Sequence, residues 1–478
     1  METLTQSNSQ AQAVNKVFSA QQANAATIRK STAQERVAKL KRLEKAILSN
    51  REKIENAIHS DFKKHPIETA VSEIYKELIE IRHTCKKLSG WMKPKKVSPP
   101  LSLLGTRSKV VYEPKGTTLI IAPWNYPFQL CINPLLSAIA AGNTAIVKPS
   151  ELTPHTSKVV KEVIGEVFEE NEVAVVEGGL ETSTELLKLP FNHIFFTGSP
   201  RVGKLIMEAA SKNLSSVTLE LGGKSPLFID KSADLKDAAE KIVWGKFLNN
   251  GQTCIAPDYA LVDANVKDEF IKILGDQIEK AYNANGKGIE QTEEYCRIVN
   301  LQQFQRLSGL IEQAVETGAT VAYGGKANPE TNYISPTLLT KVDLDSKVMQ
   351  EEIFGPILPI VSYENIDTAL NIVNQKEKPL ALYIFSKNKK YDKYILENTS
   401  AGGTCINDVV LHISHPELPF GGVNNSGIGK AHGFYGFTAF SNQRAVLRQR
   451  IGLTSAKLMY PPFNEKTKKL LNLMIKWL

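Results

Sequence analysis

Thr118-Leu119-Ile120-Ile121-Ala122-Pro123-Trp124-Asn125-Tyr126-Pro127, then Cys131 to Ala141, then Ala145-Ile146-Val147-Lys148-Pro149-Ser150-Glu151, is the stretch on which the fold turns. Both apolar runs are short, rich in β-branched residues and closed by proline-containing turns. The segment between them has helix length and stops at Gly142-Asn143. This is a strand-helix-strand unit whose polar residues fall at the carboxyl ends of the strands, the edge at which open parallel sheets bind ligands. The alternation continues through a helix at Ser157 to Phe168 and strands at Val173 to Val176 and His193 to Thr197. The fold class expected is therefore α/β, with a Rossmann-like doubly wound sheet.

Working outward, a second alternating region follows Ser225, with a strand at Tyr259 to Val262, a helix at Val266 to Tyr282 and a strand at Ala381 to Phe385. Upstream, Val37, Leu40, Leu43, Ile47, Ile54 and Ile58 recur at helical spacing among Lys, Arg and Glu, which predicts helices over about 10–88 that serve packing. Pro94, Pro99 and Pro100 break the pattern, and Lys109 to Pro114 reads as a strand leaving the main body.

The chain has 478 residues, enough for two to four domains, with 42% hydrophobic and 23% charged residues. Five widely spaced cysteines indicate neither a disulfide framework nor a zinc site. The polar start lacks a secretory core, and no run reaches the ~18 apolar residues of a membrane span. A cytoplasmic protein is expected. Net charge +8 comes without an aromatic-interleaved basic patch, so no nucleic-acid partner is inferred.

Two segments carry chemistry. In Leu248-Asn249-Asn250-Gly251-Gln252-Thr253-Cys254 a cysteine follows a small polar turn that can open its sulfur to a cleft, where as thiolate it is a strong nucleophile. In Leu219-Glu220-Leu221-Gly222-Gly223-Lys224-Ser225-Pro226 a carboxylate stands among apolar residues, suited to activating water. Together they resemble the glutamate and cysteine motifs of the NAD(P)-dependent aldehyde dehydrogenases. The resemblance runs from about Val14 to Pro462, and Phe440 to Arg444 with Tyr460-Pro461-Pro462 is most similar to the class 3 branch, which acts on fatty and aromatic aldehydes.

The resemblance implies Cys254 as nucleophile, Glu220 as hydrolytic base and Asn125, with the Cys254 backbone N–H, as oxyanion donor. Without it, Asn125 reads as a turn cap. For the cofactor it implies Trp124, Lys148, Glu151, Gly198, Ser199, Val202, Gly203, Leu221, Gly222, Glu352 and Phe354, the last two from Glu352-Ile353-Phe354-Gly355-Pro356. Gly198 to Gly203 departs from G-x-G-x-x-G because Pro200 occupies the second glycine's place, and a tight turn explains it about as well. The expected helix begins at Lys204. Glu151 would repel a 2′-phosphate, so NAD is expected, with NADP tolerated and no metal required. Family position puts Tyr126, Leu130, Trp244, Leu248 and His412 on the pocket wall.

The expected plan is a cofactor domain of residues 1–95 and 115–222, a catalytic domain of 223–422, and a β-hairpin oligomerisation arm of 96–114 with 423–462 that makes a homodimer. In the basic tail, 463–478, Leu470, Leu473 or Met474, and Trp477 share a helical face, open to a membrane surface or to a subunit. An apolar medium-to-long-chain or isoprenoid aldehyde is the implied substrate. A CoA-acylating relative, an aldehyde-reducing NADPH enzyme and a catalytically silent binding protein are the alternatives, and Glu220 argues against the first two.

Overall fold

The computed structural model describes residues 2–100, 103, 105–452, 454, 457 and 460–476, with side chains from residue 11 onward. Its first sheet has six strands in the order Gly427–Ile428, Ser216–Glu220, His193–Thr197, Thr117–Ile121, Thr144–Lys148, Val173–Val175. The last five are parallel, and Gly427–Ile428 caps the edge antiparallel to Leu219 and Glu220. From Thr117–Ile121 the chain winds outward to one side, then returns to place His193–Thr197 on the other. The reversal leaves a crevice beyond Ile121 and Thr197. Gln129–Ala141 crosses the sheet as a helix, and Gly142 ends it at φ 87°. Asn143 then accepts from the Gly116 N–H at 2.8 Å, so the stop foreseen at Gly142-Asn143 also locks the preceding turn.

The second sheet has seven strands in the order Thr320–Tyr323, Thr337–Thr340, Ile357–Tyr363, Tyr259–Asp263, Pro226–Ile229, Ala381–Phe385, Gly403–Ile406, all parallel except the first. A third, antiparallel sheet joins Lys95–Val97, Arg107–Pro114 and Ser441–Arg448. The arm segment after residue 423 thus divides. Gly427–Ile428 extends the first sheet and the helix Gly433–Ala439 packs on Gln129–Ala141, leaving only Ser441–Arg448 to pair with the hairpin.

The N-terminal helices bury Leu40, Leu43, Ile47, Ile54 and Ile58, the apolar positions read from the sequence. Thr32 and Glu35 form a capping box at the start of Ala33–Ser49. A π-helical turn, Ala70–Tyr75, leads into the helix Lys76–Trp91. Inside that turn Glu73 is fully buried, pairs with buried Lys64 at 2.8 Å, and accepts the N–H groups of Phe128 at 3.0 Å and Gln129 at 3.3 Å. The tail helix Glu465–Lys476 leaves Leu470, Leu473 and Met474 exposed, and Trp477 lies outside the described residues. No helix among the described residues is long and apolar enough to cross a membrane.

Glu73 therefore joins the N-terminal helices to the turn that follows the first strand of the cofactor sheet. Glu73→Ala would leave Lys64 buried and two amides unpaired, so urea denaturation should show a loss of about 3–5 kcal/mol.

Candidate active site

Cys254 is set by the backbone before it. Asn249, Asn250 and Gly251 are all left-handed, at φ 52°, 55° and 72°. Asparagine tolerates that region and glycine is free in it. At Gly251 a β-carbon would also sit 2.3 Å from the Gly355 carbonyl oxygen. Side-chain amides fasten the turn. Asn249 Nδ2 donates to the Asn125 carbonyl at 2.8 Å and to the Gln252 carbonyl at 3.1 Å, and Asn250 Nδ2 donates to the Cys296 carbonyl at 2.6 Å. Gln252 reaches the carbonyls of Asn249 and Arg297 and accepts from the Val299 N–H, each at 3.0 Å. Glu68 accepts the Asn249 N–H at 2.8 Å. Of these groups only the Asn-Gly and Gln-x-Cys patterns were legible in the sequence. Glu68 gave no local signal, because the Asn249 N–H it accepts lies 181 residues away, and nothing near Glu73 announced its bonds to the amides of Phe128 and Gln129, 55 and 56 residues on.

Asn125 is buried, and one N–H of its amide donates to the Gln252 carbonyl at 3.0 Å. Next to it the Tyr126 hydroxyl meets Thr253 Oγ1 at 2.7 Å. With the bond from Asn249 to the Asn125 carbonyl, three hydrogen bonds thus tie the Trp124-Asn125-Tyr126 turn directly to the residues before Cys254.

Cys254 and Glu220 both line a cavity of about 740 Å³. Tyr126, Leu130, Trp244 and Leu248 line it as expected. His412 does not. Its ring lies 6.2 Å from Tyr383 and 6.1 Å from Phe420, with Nδ1 3.2 Å from Cys405 Sγ, and His432 stands on the wall instead. The positive φ of Val410, 63°, bends the chain there, so Leu411 and Ile413 reach the cavity and the residue between them turns away.

Both Glu220 oxygens are buried without a hydrogen-bond partner among the described residues. Burial holds this carboxyl well above the usual range, opposed by the Lys430 ammonium. Burial also pushes the Cys254 thiol up to about 12, with Glu352 and Glu220 acting in the same direction and Lys76 against them. Burial and the two carboxyl groups thus disfavour the Cys254 anion at rest, and the Lys76 ammonium favours it.

Trp124 and Phe354 meet edge to face at 5.4 Å, although 230 residues separate them in the chain. Phe354 holds φ at 50°, a strain of ~1–3 kcal/mol for a bulky residue. Its loop is pinned by Arg306, which donates to the Ile353 carbonyl at 2.7 Å, and by Asp258, which accepts the Ile353 N–H at 2.9 Å and pairs with Lys224. Burial raises the Glu352 carboxyl to about 7, against the opposing pull of the Gly223 backbone N–H. A β-carbon at Gly222 would stand 2.3 Å from both Glu352 carboxylate oxygens, so the close approach requires glycine there.

Lys148, Glu151, Gly198, Ser199 and Val202 lie along the carboxyl edge of the first sheet, outside the cavity. Buried Lys148 pairs with Glu151 at 2.7 Å; burial alone would raise the Glu151 carboxyl, but this hydrogen bond brings it below the usual range. One expectation is corrected. The helix starts at Pro200, with Ser199 as its cap, because proline suits the first helical position. Gly203 therefore sits inside the first turn, where a β-carbon would come 2.9 Å from Leu221 Cδ2, and serves packing of that turn against Leu221.

A cysteine and an unpaired carboxyl on one cavity, beside the crevice of a parallel sheet, are in keeping with an oxidoreductase. The aldehyde dehydrogenase family model matches residues 2–446, and the chain belongs to that family. It is 46% identical to the 4,4'-diaponeurosporen-aldehyde dehydrogenase of Staphylococcus aureus (strain NCTC 8325 / PS 47), over 90% of this chain and 92% of that one. It is 44% identical to aldehyde dehydrogenase family 3 member A2 of Rattus norvegicus, over 90% and 87%. The solved substrate-bound state of Staphylococcus aureus AldH superimposes with a TM-score of 0.91 at 44% identity, covering 96% of this chain and 99% of that one. The family assignment, its class 3 character and the fold expected from the sequence are thereby established, and the protein is an aldehyde dehydrogenase.

The raised Glu220 carboxyl makes a stability prediction. The folded chain holds a proton that the unfolded chain releases near the ordinary glutamate range, so folding stability falls as pH rises above ~4.5. Glu220→Gln removes that loss: thermal melts should show the variant more stable than the parent at pH 8 and no more so at pH 4.5.

Proposed function

We propose that this enzyme oxidises apolar medium-to-long-chain or isoprenoid aldehydes to carboxylic acids through a Cys254 thioester, with NAD as the preferred cofactor and NADP also accepted. The observation that carries the reading is the 740 Å³ cavity, within the ~300–1,000 Å³ range of ligand sites, which brings Cys254 and the unpaired Glu220 carboxyl to one largely apolar wall. The name of the Staphylococcus relative supports the isoprenoid end of that range.

The Cys254 sulfur adds to the aldehyde carbon as its proton leaves. The Asn125 amide, with one N–H engaged by Gln252, keeps the other for the oxyanion, alongside the Cys254 backbone N–H. When bound, the dinucleotide supplies the hydride acceptor. The groove suits it: a glycine at 222 that brings the backbone against Glu352, a capped helix start at Ser199, and a Lys148 and Glu151 pair at the strand end. Glu352 and Phe354 would hold its nicotinamide ribose and ring, Trp124, Leu221 and Gly222 would border it, and Lys148 with Glu151 would hold the adenosine ribose. Glu220 then takes a proton from the water that opens the thioester, releasing the acid and restoring the thiol. Its retention favours hydrolysis over transfer to CoA.

Exposed edges at Lys95–Val97 and Ser441–Arg448 support a homodimer built through the arm, since unpaired edges invite a partner chain. A cytoplasmic enzyme touching a membrane surface through Leu470, Leu473 and Met474 is the accompanying proposal. Deleting 464–478 should lower sedimentation with anionic vesicles or turnover of long-chain aldehydes, and unchanged behaviour in both would remove this part of the reading.

The test is reduced-nicotinamide formation over aldehydes of rising chain length. Cys254→Ala should abolish turnover, Asn125→Ala should lower kcat by about 100–1,000-fold, and kcat should rise with pH, because Glu220 and Cys254 are both held protonated above their ordinary ranges. Turnover surviving in Cys254→Ala, or acyl-CoA formed when CoA is supplied, would overturn the mechanism.

A further inference from the structure

Lys76 is the only lysine or arginine among the described residues on the cavity wall, and the mechanism above leaves it without a task. It follows directly on the π-helical turn Ala70–Tyr75, whose wider spacing changes the register at which the next helix presents its side chains. The carboxylates of its own segment are all engaged elsewhere. Glu73 holds Lys64 and the amides of Phe128 and Gln129, Glu77 accepts from Asn133 Nδ2 at 3.2 Å, and Glu80 accepts the Gly433 N–H at 2.5 Å. Lys76 makes no hydrogen bond or ion pair among the described residues. A half-buried ammonium left without a partner beside a reactive thiol calls for an anion that forms only during function.

An anionic substrate group is the weaker candidate, because the same wall carries Glu68, Glu220, Glu240 and Glu294 and would repel it. The sulfur itself is the stronger one. We propose that the Lys76 ammonium is the counter-ion of the Cys254 thiolate, forming with it an ion pair inside the aldehyde cavity and thereby setting the pH at which the nucleophile becomes active. The groups acting on that pair are known. Glu220 from its strand and Glu352 from its loop oppose the thiolate, while Tyr126 and Tyr383 also feel its charge. Burial disfavours the Lys76 ammonium, while Glu77, then the Cys254 thiolate, Glu80 and Glu73 favour it, and His412 and His432 feel its charge in turn. Lys76 is thus a positioning residue that acts through Cys254.

The inference rests on Cys254 being the nucleophile, but its test does not require turnover. The rate of iodoacetamide alkylation of the Cys254 peptide is followed by mass spectrometry from pH 6 to pH 10 in the full-length chain. Lys76→Met should slow alkylation at pH 7.5 by roughly tenfold and move the profile upward by ~1 pH unit, whereas Lys76→Arg, which keeps the charge, should restore most of the parent rate. Lys76→Gln carries the same comparison should the methionine variant not fold. Superimposable profiles for the parent and the neutral variants would overturn the proposal. That outcome is distinct from failure of the proposed function, which would show as turnover persisting in Cys254→Ala.

Discussion

Three consecutive left-handed residues, Asn249, Asn250 and Gly251, are the constraint on which the active site depends. A chain bent this way would relax if left to itself, since each non-glycine residue in that region carries a cost of ~1–3 kcal/mol. Here the bend is over-determined by carboxamides: Asn249 grips the Asn125 carbonyl, Asn250 the Cys296 carbonyl, and Gln252 three backbone groups. The same bonds join the cysteine turn to the turn carrying Asn125. The position of Asn125 is thus fixed by the turn that presents the sulfur, and neither can move without the other.

Around that joint the protein keeps charge in places where water is scarce. The carboxyl of Glu220 is buried with both oxygens unpaired, a costly arrangement for stability that leaves the group free for chemistry. The Lys64 and Glu73 pair, by contrast, is fully satisfied and acts as a rivet between the N-terminal helices and the Phe128-Gln129 backbone. Phe354, strained at φ 50°, is held by Arg306 and Asp258 in the same manner that the asparagine turn is held by its amides. Satisfied polar groups in the surrounding shell hold unsatisfied or strained ones at the centre.

Much of this was legible in the residues. The strand-helix-strand alternation from Thr118 to Lys148 specified a parallel sheet because short β-branched runs and a helix-length segment with a glycine stop are local signals. Cys254, Glu220 and the Glu352 to Pro356 loop stood out through motif context. The start of the helix before Lys204 was misplaced for a local reason too: the pull of Pro200 towards the first helical position outweighs the loop-like look of the glycines. His412 was misplaced because Val410 adopts a positive φ that no residue type there announces.

By itself, then, the amino-acid sequence determined the strand-helix-strand alternation of the first sheet, the existence of a second alternating region and the family motifs, since each rests on periodicity or on a short contiguous pattern. Only the tertiary structure decided which groups meet. That Glu352 lies against Gly222, that Phe354 meets Trp124, that Lys76 lines the cavity while Glu73 turns to Lys64, and that the surroundings disfavour the cysteine's anion all follow from burial and from how the segments pack. Protonation and strain are properties of an environment, and that environment exists only once distant segments have closed around it.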